Sequence, residues 1–263
     1  MHERQASNLV ERWKKTSRAL SGPLRVAYLK SEATAYPLDV VAEAFDLVCG
    51  SAEQAEPDAR ELLVGIIDFL AEREQLDFAQ ALREEAAGRS LLSLGRLLRR
   101  PIGSAATSSS PGTSVDLHVP DYGAGRPLTL GERKALARRP TRKSLDKLLA
   151  DPHPAVIRTL LGNPKLTEDD VVRLAARRPG NPEVLAEIAR SEWSHRVRVR
   201  RALVLNPDSP AVLAIPLLAL MLRPELRQVA EATYLSPPLR VAAHELLARR
   251  PPVRRPPATP KLQ

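Results

Sequence analysis

Proline distribution limits what this chain can fold into. Residues 1–100 hold three prolines and residues 101–263 hold twenty-one. Proline lacks a backbone donor and clashes with the preceding turn, so it ends helices. The first region can carry ordinary helices; the second can carry only short ones. Aromatic residues make up 3% of the chain and hydrophobic residues 43%. The core must therefore be aliphatic, which suits helix packing better than sheets.

Apolar spacing supports helices in the first region. Leu9, Val10 and Trp13 share a face, as do Val40, Val41, Ala44, Phe45 and Val48, and Leu62, Leu63, Ile66, Ile67 and Leu70. Pro57-Asp58 opens the last of these runs, and a Leu-rich run over 91–98 closes the region. Four to six helices are expected. Cys49, the sole cysteine, lies in an apolar helical run and reads as a core residue.

The second region carries a weak internal repeat. Arg139-Pro140, Asn163-Pro164, Arg178-Pro179, Asn206-Pro207 and Arg249-Arg250-Pro251 end successive units. The spans between them are uneven: 140–163 covers 24 residues, 164–178 covers 15 and 179–206 covers 28. Two units end in the same helix, one over 154–164 and one over 197–207, pairing Val156 with Val199, Arg158 with Arg201 and Leu160 with Leu203. Further short helices carry Leu145 and Leu148, Val171 and Leu174, and Leu185 and Ile188. With Val156, Leu160, Val199 and Leu203, these form the expected repeat core. Thr167 and Asp170 are spaced as a helix cap. Asn at the Asn-Pro steps is expected to take the left-handed turn that stops a helix, with Pro preventing continuation. Two-helix units cannot bury their own apolar faces, so they come in stacks.

Three stretches carry the resemblance: Asp151 to Arg158, the Leu-Leu-Gly-Asn-Pro that follows, and Thr167 to Ala175. Over roughly residues 128–250 they resemble the leucine-rich repeat variant family, a HEAT-like α-solenoid. The resemblance implies a helical superhelix. That family's iron–sulfur cluster needs several cysteines, and this chain has one. The expected fold class is all-α: a helical N-terminal domain over 1–101, a disordered Ser/Gly/Pro linker over 102–126, an α-solenoid over 127–250 and a disordered Pro/Arg tail over 251–263.

No catalytic or metal-binding spacing stands out. The five histidines are scattered, and no phosphate loop or nucleophile elbow is present. No cofactor and no metal are expected. Trp193 beside Glu192 is the one pairing that a helical-repeat DNA glycosylase could use, but such a groove needs more aromatic surface. The chain starts without an apolar signal core and holds no run of ~18 apolar residues, so a cytoplasmic location is expected and no membrane contact.

Charge is uneven. Residues 1–100 carry 14 basic and 16 acidic side chains; residues 101–263 carry 26 and 15. The basic strings supply the candidate binding residues: Arg138, Arg139, Arg142, Lys143, Arg173, Arg177, Arg178, Arg196, Arg198 and Arg200. Stacked units could align them into a stripe. The sequence reads as a non-enzymatic scaffold taking a protein partner, and a basic stripe would suit an acidic segment of it. The alternative is a basic nucleic-acid binder. A mixed apolar-polar groove would favour the first and a continuously positive groove the second.

Overall fold

The computed structural model describes residues 2–20, 22–100 and 119–251. Among them the chain forms fifteen α-helices and no strand. Six lie in the first region: α1 (His2–Ser17), α2 (Gly22–Ala35), α3 (Leu38–Glu53), α4 (Pro57–Ala71), α5 (Leu76–Gly88) and α6 (Leu92–Leu97). The proline-poor stretch thus supports helices of 13 to 16 residues, with only α6 shorter. α3 is the centre, packed against α1, α4, α5 and α6. Its Val41, Ala44, Phe45 and Val48 are fully buried, and Phe45 meets Trp13 of α1 with ring centroids 5.5 Å apart. Asp46 on α3 accepts from the Ser93 and Leu94 amides at 2.8 and 2.9 Å, which caps the short α6. Cys49 is buried, and desolvation pushes its thiol pKa well up.

Nine helices follow: α7 (Leu130–Arg138), α8 (Arg142–Leu149), α9 (Pro154–Leu161), α10 (Glu168–Ala176), α11 (Pro182–Ala189), α12 (Val197–Val204), α13 (Ala211–Leu218), α14 (Arg223–Glu231) and α15 (Pro237–Arg249). All but α15 have eight or nine residues. Pro216 departs from the rule that proline ends a helix: it sits inside α13, which closes two residues later. Thr167 accepts from the Asp170 amide and Asp170 from the Thr167 amide, so α10 starts in a full capping box.

The nine helices form three units of three. α7 packs on α9, α10 on α12 and α13 on α15. The uneven spans between proline steps resolve here, because the Arg-Pro steps close α7 and α10 while the Asn-Pro steps close α9 and α12. The spans 164–178 and 179–206 together make one 43-residue unit, the same offset that separates Val156 from Val199 and Asn163 from Asn206. The ten expected repeat-core residues, Leu145, Leu148, Val156, Leu160, Val171, Leu174, Leu185, Ile188, Val199 and Leu203, are all buried.

The asparagines work differently from expected. Outside glycine, only Ala55 and Ser90 have positive φ among the described residues, so neither Asn163 nor Asn206 makes a left-handed stop. Each side chain instead closes its unit. Asn163 Nδ2 donates to the Ala137 and Arg138 carbonyls at 3.1 and 2.9 Å, at the C-terminus of α7. Asn206 Nδ2 donates to Ala175 and Arg177 at 2.8 and 3.0 Å, at the C-terminus of α10. Those carbonyls have no partner within their own helix. In the third unit Arg250 takes the same post, donating to Ala219 and Met221 at 2.8 and 3.1 Å past the end of α13.

One apolar cluster runs through both regions. Polar contacts tie them further. Arg250 also donates to the Ala52 carbonyl of α3 at 2.8 Å, Arg99 forms a bidentate pair with Glu245, and Arg60 donates to the Leu220 carbonyl. Burial lowers the Arg250 pKa to about 10, with Arg60 adding to the effect. Most of the expected linker and the tail from residue 252 lie outside the described residues. Val119 to Arg126, expected to be linker, are described. Tyr122 packs against the core there and donates its hydroxyl to Asp151 at 2.6 Å, which fixes the approach to α7. No helix among the described residues is long and apolar enough to cross a membrane.

Candidate functional site

The basic strings do not form one free stripe. Arg177 donates to the Ala150 carbonyl at 3.2 Å and Arg178 to Leu205 at 2.7 Å, each at the C-terminal end of a helix 27 residues away in sequence. Cations there satisfy orphan carbonyls and meet the negative end of the helix dipole. Arg178 also lies over the Tyr234 ring, 5.0 Å from its centroid. Arg173 pairs with Asp170 and Arg198 with Asp169, the latter at 2.6 Å. Arg158 and Arg201 likewise reach the following helices: Arg158 grips Glu187 with two bonds of 2.6 Å, and Arg201 donates to Gln228 at 2.8 Å.

Arg200 corrects the expectation that Arg196, Arg198 and Arg200 all belong to a binding surface. It is buried and donates to the His195 carbonyl at 3.3 Å. Burial lowers its pKa, Glu225 raises it and Arg60 lowers it further. The reason is helical geometry. Positions two apart differ by about 200° around a helix, so Arg198 and Arg200 point to different sides. Arg196, Arg138, Arg139, Arg142 and Lys143 are exposed. The last four cluster where α7 meets α8.

A larger feature lies where the two regions face each other. The ends of α4, α9 and α11, the start of α2 and a 3₁₀ turn over Glu192–His195 enclose a cleft of about 1040 Å³. Its charged lining is mixed: Asp68, Glu72, Glu187 and Glu192 against Arg158, Arg190, Arg196 and His195. Pro23, Ala71, Leu161 and Trp193 add apolar surface. Trp193 is held by its indole N–H, which donates to the Leu161 carbonyl at 2.8 Å. Gly22, at φ +47°, lets the α2 end approach the other wall, since a Cβ there would stand 3.2 Å from Glu192 Oε1.

Across the cleft, His195 Nε2 lies 2.9 and 2.7 Å from the two Asp68 carboxylate oxygens, 127 positions away in sequence. A carboxylate can orient an imidazole for proton transfer, but that chemistry also needs an acceptor or nucleophile within reach. The Ser191 hydroxyl, which lines the cleft, is turned to the Ile188 carbonyl at 2.7 Å. Trp193 is the sole Phe, Tyr or Trp in the lining, and the His195 ring is tied to Asp68, so the cleft offers little free aromatic surface to stack an unpaired base. No group of three or more His, Cys, Asp or Glu is placed to hold a metal among the described residues.

Fold and cleft define an all-helical protein of three-helix units packed against a helical bundle, with a mixed-charge groove between them. No protein family, no curated protein and no solved structure matches this chain.

Proposed function

We propose that this chain is a non-enzymatic scaffold of the helical-repeat kind, and that it holds a polypeptide segment in the cleft between its two regions. The supporting observation is the lining of that cleft, which combines four carboxylates, three guanidiniums and an imidazole with the apolar surface of Pro23, Ala71, Leu161 and Trp193. Such a surface offers an extended chain both hydrogen bonds and apolar contact. A nucleic acid would meet the same carboxylates as repulsion, since its affinity comes mainly from neutralised phosphates.

The exposed basic cluster at Arg138, Arg139, Arg142 and Lys143 favours a second reading, nucleic-acid binding on the outside of the first unit. One experiment separates the two. Immobilised protein is incubated with nuclease-treated lysate at rising salt, alongside a Gly162→Trp variant that narrows the cleft and an Arg139→Ala/Arg142→Ala/Lys143→Ala variant. The scaffold reading expects proteins retained after nuclease treatment and lost only in the Gly162→Trp variant. Loss with nuclease, steep salt dependence and loss in the triple variant would instead establish the nucleic-acid reading.

A further inference from the structure

A second cavity opens beside the cleft, and the two meet at Ala71 and Arg190. It has a volume of about 140 Å³ between α4, α5 and α6 on one side and α11 and α13 on the other. Its body is apolar, with Leu70, Leu76, Val212, Leu213 and Leu217 among the lining residues. Its four charged residues are all arginine: Arg83, Arg99, Arg100 and Arg190. No carboxylate lines it.

Two of the four guanidiniums are engaged: Arg99 is held by Glu245 at 3.0 and 2.8 Å, and Arg190 reaches Glu187 at 3.9 Å. Arg83 is not satisfied. Its Nε donates to Gln80 at 3.1 Å, but its Nη2 is shut off from solvent with no partner. Glu84, the nearby acid, is occupied by the Gln80 amide at 2.8 Å and lies outside the lining. Burial and then the neighbouring Arg100 lower the Arg83 pKa. A buried guanidinium N–H without an acceptor, next to a second cation, is costly; a small rotation of the flexible Arg83 side chain toward the cavity it lines would let an anion there supply the acceptor.

We propose that this pocket binds a small amphiphilic carboxylate, with its head between Arg83 and Arg100 and its apolar body against the leucines of α4 and α13. The volume matches the ~150 Å³ at which an apolar cavity takes a benzene-sized guest, so the body holds about six carbons. A carboxylate accepts two parallel N–H bonds from a guanidinium, which a neutral alcohol cannot do. This site does not depend on what the larger cleft holds.

The test uses the full chain with sodium hexanoate, 1-hexanol and inorganic phosphate as probes, read by amide chemical shifts and saturation-transfer NMR. Hexanoate is expected to bind with Kd on the order of 1 mM or tighter. It should bind about tenfold or more better than hexanol, and phosphate should not perturb the pocket. Arg83→Gln should bring hexanoate down to the level of hexanol. Leu213→Trp, which fills the half-buried end of the cavity, should abolish both while leaving the circular dichroism spectrum unchanged. Equal binding of hexanoate and hexanol, binding that survives Leu213→Trp, or no binding of either probe would overturn the proposal.

Discussion

Asn206 offers the sharpest test of the three-unit architecture. The residue is 1% exposed. Its side-chain amide donates to Ala175 and Arg177, and its oxygen accepts from the Asp208 amide at 3.0 Å. Asn206→Ala removes all three bonds and strands the α10 carbonyls inside the unit. At about 1 kcal/mol per net hydrogen bond, plus the cost of a buried unsatisfied group, the loss should be roughly 2–4 kcal/mol. Two companions separate this role from that of a left-handed helix stop. Asn206→Gly would be neutral or stabilising if the residue served a positive φ, but here it should cost at least as much as Ala. Asn206→Asp keeps the shape but turns a carboxylate oxygen toward two carbonyls, and should be the worst of the three. Urea unfolding followed at 222 nm gives the three values. Asn206→Gly at or above wild-type stability, or Ala and Asp within about 0.5 kcal/mol of wild type, would refute the assignment.

Leu160→Asp and Leu203→Asp should each cost several kcal/mol, since Leu160 is 0% exposed and Leu203 2%; thermal melting checks both. Arg198→Ala should change stability by less than about 1 kcal/mol, because its pair with Asp169 is exposed, whereas Arg200→Ala should cost more through lost packing; parallel urea titrations measure the difference. Burial works to raise the Asp170 pKa, but bonds from the Thr167 hydroxyl and amide, with Arg173 beside it, hold it below the usual carboxylate range. The folded state therefore binds fewer protons than the unfolded chain through that range. The stability this adds is present above the ordinary carboxylate pKa and is lost as pH falls through the folded value; Asp170→Asn should flatten that part of the acid-unfolding curve. A protease site placed between residues 101 and 118 should yield two fragments that co-elute on gel filtration, because the two regions share one apolar cluster.

Local chemistry made much of the fold legible. Pro57, Thr167 and Asp170 stand at the helix starts where they were expected, because capping depends on residues three or four positions apart. The pairing of Val156 with Val199 and of Leu160 with Leu203 follows from a repeat that keeps its register. The 43-residue unit was obscured because two kinds of proline step alternate, and their spacing alone does not say which helix each one closes. Asn163 and Asn206 illustrate the limit at the next level: the residue type marks a helix end, but whether it acts through its backbone or its amide depends on a carbonyl some 30 positions away. Arg196, Arg198 and Arg200 look equivalent when read as a string and separate once wound on a helix. Only one wall of the cleft was legible, through Glu192, Trp193 and Arg196; the cleft itself was not, since His195 and Asp68 come from opposite regions and neither sits in a motif. Arg83 was equally hidden, as its unmet donor and the residues that line the cavity with it, from α4, α6, α11 and α13, are brought together only by the fold.

The most direct measurement is site-specific photo-crosslinking in the wild-type background. A photoreactive residue is placed at Arg196 in the cleft and, separately, at Arg142 in the basic cluster of the first unit, and the products are read by mass spectrometry after nuclease treatment. The scaffold account predicts a discrete peptide adduct from position 196 and none above background from position 142. Adducts confined to position 142 that still carry a nucleotide after nuclease treatment would contradict it.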